Sequence, residues 1–409
     1  MESALQAALS SGGPSKAGYR RAHGAAREVL KEESGAALPP RPALDAIEPL
    51  PKQRIAALAS PILSLIHDMQ FYAVMGASTQ VIVVDIDSPV SVAFIAATES
   101  RVSSVLLWDG NSSTFAGLLT VTDYIRVLLH CHAQGSTASD DIVGLSIREL
   151  VTRDWVKCSA PASTFVWGTP NLTVLDCLGA MIQHRVNRLP ILASKVFEEE
   201  KIPDDVAMGV QPGSATATSA APCPAPPTSY SVVSVVTFPQ LLAHIGRVLL
   251  ATDTGHPAGE SLYDVPLKAL GVGRHVASLR NGTIPRITLD NTVSDALGVM
   301  IDHNVHAVCI RGANSEIADV VTRSDVLRME TGGAYDVTQP LSEALSWRPA
   351  HASAVVCSLN DSFGDVLAHF VNTWVKEMFI VDPESDEVLG QLSMKELLQF
   401  LFDTMRESA

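Results

Sequence analysis

VSVAFIAATESRVSSVLLWDGNSSTFAGLLTVTDYIRVLL, residues 90–129, carries an amphipathic helix, an apolar strand, a polar turn, a second strand and the start of another helix. An apolar run at Val81–Val84 precedes it. The same order returns three more times. With Ala93, Cys177, Ala296 and Val366 as anchors in VSVAFIAATE, VLDCLGAMIQ, VSDALGVMID and FGDVLAHFVN, a valine stands nine residues later in each copy: Val102, Val186, Val305 and Val375. Each valine leads into a strand: SSVLLWD, NRLPILA, HAVCIRG or KEMFIVD. A further strand then reaches TVTDYIRVLL, TFPQLLAHIG, TRSDVLRMET or SMKELLQFLF, whose fourth residues are Asp123, Gln240, Asp325 and Glu396.

From anchor to that fourth residue the separations are 30, 63, 29 and 30. The outlier contains residues 198–230, a 33-residue run of acidic residues followed by Pro, Ser, Ala and Thr, and removing it restores 30. That segment reads as a flexible insertion in the second repeat. Leading strands are expected at Val81–Val84, Thr164–Trp167, Arg286–Leu289 and Ala354–Leu359. A repeat this short buries only one face of its sheet, so copies must pack against one another. The polar stretch ATDTGHPAGE divides them two and two, which predicts an α/β (α+β) fold with modules over 51–251 and 252–409. Residues 1–50, rich in Ala, Ser, Gly and alternating charge, read as a disordered tail.

The formal net charge of -15 argues against a nucleic-acid binder, which needs a clustered basic surface. Six cysteines form no CxxC pair and no dense framework, as expected of reduced intracellular thiols. Met1–Ser10 lacks a signal-peptide profile. Polar residues and Pro239 interrupt the apolar stretch Val232–Ala251, so no membrane span is expected. A soluble, cytoplasmic or also nuclear chain is the resulting expectation. The pair His130 and His132 lies two apart on a helix and points two ways, so no metal site is expected. Trp108 and Trp374 read as packing residues.

Strand, helix, two strands and helix, with Thr/Ser-x-Thr/Ser-Asp opening the second helix, resembles the CBS domain, whose paired form is the Bateman module. Four copies, with FAGLLTVTDYIRVLL, VNRLPIL and the run from YDVTQPLSEAL, make residues 62–402 similar to the gamma regulatory subunits of AMP-activated protein kinase. That resemblance implies a pseudo-symmetric disc of two Bateman modules with sites for AMP, ADP or ATP, no catalysis, no resident cofactor, and kinase (alpha) and scaffold (beta) subunits as partners. The acid opening the second helix would hold the ribose hydroxyls and arginines would grip phosphate, consistent with carboxylate and guanidinium chemistry.

The resemblance assigns Thr120, Thr122 and Asp123 in the first repeat and Thr322, Ser324 and Asp325 in the third to ribose and adenine. Helix capping alone also explains a Thr followed by Asp in a first turn. Arg188 and Arg348 fall at phosphate-contacting positions, and Val166 and Ala307 complete the implied set. Arg323 reads as a solvated surface charge and is left out. Ser103, Asn304 and Glu377 stand where the family carries further arginines, and Glu377 would repel a phosphate. Gln240 is no departure, because the family's second repeat also lacks the acid; Glu396 extends the fourth acid by a methylene. Two function classes remain open: a nucleotide-sensing regulatory subunit, and an assembly subunit that has lost most sensing. A CBS-regulated enzyme has no room beside four repeats.

Overall fold

The computed structural model describes residues 47–67, 69–74, 80–100, 102–135, 145–152, 165–194, 230–252, 261–275, 287–312, 317–328, 336–346, 355–383 and 387–408. A helix, α1 (Lys52–His67), precedes the first repeat: β1 (Val83–Asp85), α2 (Val90–Glu99), β2 (Ser104–Asp109), β3 (Thr114–Thr120) and α3 (Val121–Ala133). After a short helix, α4 (Ile147–Thr152), the second repeat contributes α5 (Val174–Gln183), β4 (Arg188–Ser194), β5 (Tyr230–Thr237) and α6 (Phe238–Thr252). The third follows α7 (Leu267–Leu270) and β6 (Arg274–His275) with α8 (Val293–Asp302), β7 (Ala307–Arg311), β8 (Ile317–Thr322) and a 3-10 turn at Asp325–Arg328. The fourth follows α9 (Leu341–Ala344) with β9 (Val356–Cys357), α10 (Phe363–Thr373), β10 (Glu377–Val381), β11 (Val388–Ser393) and α11 (Met394–Ser408).

Each repeat folds its two later strands into an antiparallel hairpin: β2 with β3, β4 with β5, β7 with β8 and β10 with β11. All four hairpins slip register at one repeat position, between Leu107 and Trp108, Ile191 and Leu192, Ile310 and Arg311, and Ile380 and Val381. Such an irregularity bends a strand and increases its twist, so it shapes every copy alike. The exit from the first helix is also shared, since Arg185, Asn304 and Trp374 all adopt left-handed backbone at φ 57°, 51° and 57°. That conformation ends a helix abruptly even without glycine.

Among the described residues the leading strands are short. β1 and β9 lie parallel to β2 and β10, and the second and third repeats show single bridges there, Gly168 with Ile191 and Ile287 with Ile310. At Gly168 a Cβ would meet Leu172 Cδ1 at 2.5 Å, so any side chain there would force Leu172 aside. Among the described residues, the expected second helix of the third repeat is a 3-10 turn at Asp325–Arg328.

Two boundary expectations change. Ile47 is buried and the Leu50 amide donates to the Ala269 carbonyl at 2.8 Å, so order begins before residue 51. Tyr230, placed in the insertion by composition, opens β5 and pairs with Ser194. Trp374, expected to pack, is 50% exposed. Residues 1–46 and 195–229, covering the expected tail and most of the insertion, lie outside the described residues.

The chain divides into two units. One contains Ala59–Thr252, Arg323–Val337 and Leu398–Ala409; the other contains Met1–Leu58, Asp253–Thr322 and Thr338–Leu397. In the first, Leu106 and Phe115 of the first repeat pack with Phe165, Trp167, Leu192 and Tyr230 of the second. Phe115 meets Phe165 at 6.4 Å and Trp167 meets Tyr230 edge-on at 5.5 Å. The other unit repeats the device with Ala307, Cys309 and Ile317 of the third repeat against Phe379, Val381 and Val388 of the fourth. Short segments cross within each unit as well: Ser146 bridges Pro89, Gln70 bridges Thr173, Pro266 bridges Ser362, and Pro340 bridges Thr292. Free cysteines 131, 177, 309 and 357 are buried, and desolvation pushes the thiols of Cys177, Cys309 and Cys357 up, keeping them protonated.

Arg148 on α4 ties that helix to the first repeat through the carboxylates of Asp87 and Asp109, with its Nη2 at 3.0 and 2.8 Å from them. Hydrogen bonding to Arg148 holds Asp109 at about 2 and also lowers Asp87. Carboxylates lowered in the folded state add stability above their unfolded pKa of 3.8, and the gain disappears as pH falls toward 2. Between pH 4 and 2, Arg148→Ala should therefore lose its stability deficit relative to wild type, a convergence readable in urea midpoints followed by circular dichroism.

Candidate nucleotide site

The acid position of the second helix is built as a cap. Asp123 Oδ2 accepts from the Thr120 amide at 2.9 Å and from Thr120 Oγ1 at 2.7 Å, while Oδ1 accepts from Arg126 Nη1 at 3.2 Å. Gln240 Oε1 accepts from the Thr237 amide and hydroxyl at 2.9 and 2.8 Å, and Glu396 Oε2 accepts the same pair from Ser393 at 2.8 and 2.9 Å. Three chemically different side chains thus satisfy the same orphan N–H at a helix start. The capping account of these residues is realised in the structure. It leaves a fully buried carboxylate at Asp123, close to cations.

Those cations are Arg188 and Arg323. Arg188 opens β4 and donates through Nη2 to the Ser103 carbonyl at 3.1 Å and to Ser103 Oγ at 2.7 Å. Its Nε is sealed from solvent with no hydrogen-bond partner. Arg323, buried at 7% exposure, donates from Nη1 to Thr122 Oγ1 at 2.9 Å. Burial brings Arg188 down to about 10; Asp123 opposes the change and the charge of Arg323 adds to it. The two guanidinium groups therefore repel one another in the neighbourhood of Asp123. An anion placed there would relieve the repulsion and meet the unused Nε donor.

An apolar cleft opens beside this cluster, lined by Ala93, Phe94, Ser103, Thr120 and Tyr124. The rings of Phe94 and Tyr124 stack at 3.5 Å.

Of the residues picked from sequence, Thr120, Thr122, Asp123 and Arg188 come together. Val166 is buried and lies in sequence between Phe165 and Trp167, two members of the core cluster of the same unit. Thr322 ends β8, Ser324 is exposed in the turn and Asp325 is buried at its 3-10 start. Ala307 begins β7, and Arg348 lies outside the described residues. Sequence reasoning missed Arg323 by treating it as a surface charge. Its setting between Val320-Val321 and Val326 was the available signal of burial. Among the described residues no group of three or more His, Cys, Asp or Glu is placed to hold a metal.

Residues 277–332 match the family description "CBS domain". Across the longer chain, 336 residues are 24% identical to 5'-AMP-activated protein kinase subunit gamma-3 of Sus scrofa, covering 81% of this chain and 55% of that one. The gamma subunit of Dictyostelium discoideum is 22% identical over 346 residues, covering 82% of this chain and 52% of its own length. The chain carries a CBS match at residues 277–332 and is similar along most of its length to the kinase gamma subunits. It spans about half the length of the curated relatives it matches. The fold is similar to that in the crystal structure of protein MJ1225 from Methanocaldococcus jannaschii, a proposed archaeal homolog of the kinase gamma chain, at a TM-score of 0.54 and 10% identity over 81% of this chain and 99% of that one. Among the described residues, no helix is long and apolar enough to cross a membrane.

Proposed function

We propose that the chain is a non-catalytic, gamma-like regulatory subunit that senses adenine nucleotides through the cluster of Asp123, Arg188 and Arg323. The observation that carries this reading is the sealed, unpartnered Nε of Arg188 beside a second buried guanidinium. A buried donor left unmade costs about 1–3 kcal/mol, which a phosphate oxygen would recover. Relatedness to gamma subunits supports AMP, ADP or ATP as the anion's source and the alpha and beta kinase subunits as partners, in a cytoplasmic or nuclear complex. Regulation would follow from nucleotide binding one assembly state better than another. Ribose would be met by Thr120, Thr122 and Asp123.

In this reading repeats one and two form one module and repeats three and four the other. A second reading, an assembly subunit with little sensing, draws support from the capping use of Asp123, Gln240 and Glu396. Isothermal titration of the full chain with AMP and with ATP separates them. The sensor reading expects saturable heat for at least one nucleotide below millimolar concentration; flat titrations with both leave the assembly reading.

A further inference from the structure

The crossing that Arg188 makes has a counterpart in the other unit, with its charge reversed. Arg188 stands eleven residues after its repeat's anchor and reaches Ser103, ten after the anchor of the first repeat. Glu377 stands eleven after the anchor of the fourth repeat and reaches His306, ten after the anchor of the third. Arg188 meets a backbone carbonyl and a hydroxyl, whereas Glu377 meets backbone N–H groups. Both Glu377 oxygens lie 3.0 Å from the His306 amide, and Oε2 accepts from the Ala307 amide at 2.7 Å.

Two successive amides directed at one carboxylate make a small anion-binding hollow, and charge-assisted bonds to it are stronger than neutral ones. Gln391, buried on β11, secures the same strand by donating from Nε2 to the Ala307 carbonyl at 2.9 Å. The hollow is held rigid from both sides of Ala307.

We infer that Glu377 is a built-in anion that occupies the amides of His306 and Ala307, so that its unit refuses a ligand phosphate there. The inference deepens the proposed function by assigning which unit is closed to nucleotide, and it rests on that reading only for the identity of the ligand. A phosphate entering beside Glu377 would meet like charge and find both amides already engaged. Removing the carboxylate returns two directed N–H donors.

The test uses the full chain carrying Glu377→Ala, titrated with AMP and inorganic phosphate. The variant is expected to gain one binding event per chain that wild type lacks, and to keep it when Arg188→Gln is added. New binding in a wild-type background that itself binds no AMP would sustain the inference while removing the reading of the first unit. Should Glu377→Ala fail to fold, Glu377→Gln keeps an acceptor oxygen without the charge. In that variant millimolar phosphate is expected to shift the His306 and Ala307 amide resonances, which stay unmoved in wild type. A folded neutral variant with neither added binding nor shifted amides overturns the inference and leaves Glu377 a clamp between strands.

Discussion

Replacing Arg188 by glutamine is expected to weaken AMP binding by about 10- to 100-fold while leaving stability unchanged or slightly raised. The affinity estimate follows from losing a charge-assisted contact of about 1.5–3 kcal/mol, at about 1.4 kcal/mol per tenfold. The stability estimate follows from the fold burying this guanidinium at a cost, with Nε unmatched and Arg323 close enough to repel it. A residue present only to bridge repeats would behave the opposite way, since deleting its bonds to Ser103 would loosen the fold and spare the ligand. Arg188→Lys should fall between, keeping charge but not the planar fork. Calorimetry paired with urea denaturation reads both quantities.

Proton linkage adds an independent signature. The free site holds Arg188 at about 10, and a bound anion favours its charged form. In wild type, affinity is therefore flat between the second ionisation of the phosphate, at about pH 6, and the pKa of Arg188, and falls above it, and this fall is absent in Arg188→Gln.

The largest stability effect is expected at Trp167. This side chain is fully buried among Leu106, Phe115, Leu192 and Tyr230, where two sheets meet. Truncation to alanine removes the edge-on contact with Tyr230 and leaves a cavity that close-packed neighbours fill only in part. A loss of about 3–5 kcal/mol is expected by chemical denaturation. Trp374→Ala is the control: half exposed, with the same left-handed backbone before and after replacement, it should stay within about 0.5 kcal/mol of wild type.

The repeat itself was legible because the same spacing carries the same periodicity four times, and hairpins, first helices and the resemblance all followed from it. What escaped was set by neighbours in space. The register slip follows Leu107, Ile191, Ile310 and Ile380, aliphatic residues that fill regular strands equally well, so nothing in the sequence announced it. The single bridges at Gly168 and Ile287 depend on partners in the hairpins, Ile191 and Ile310. At the candidate site, Asp123 was found by motif, yet its hydrogen bonds serve the helix start first. Arg323 was passed over because a charge early in a helix is usually solvated, and its burial depends on an approach to Thr122 from 201 positions along the chain.

The β4–β5 hairpin closes its register at Ser194 opposite Tyr230. A turn of about two residues suffices to join such a pair, so greater length there need not shift a strand partner. Closing a longer connection costs only about 0.6 kcal/mol for each doubling. Length at this point is therefore only weakly coupled to the stability of the hairpin.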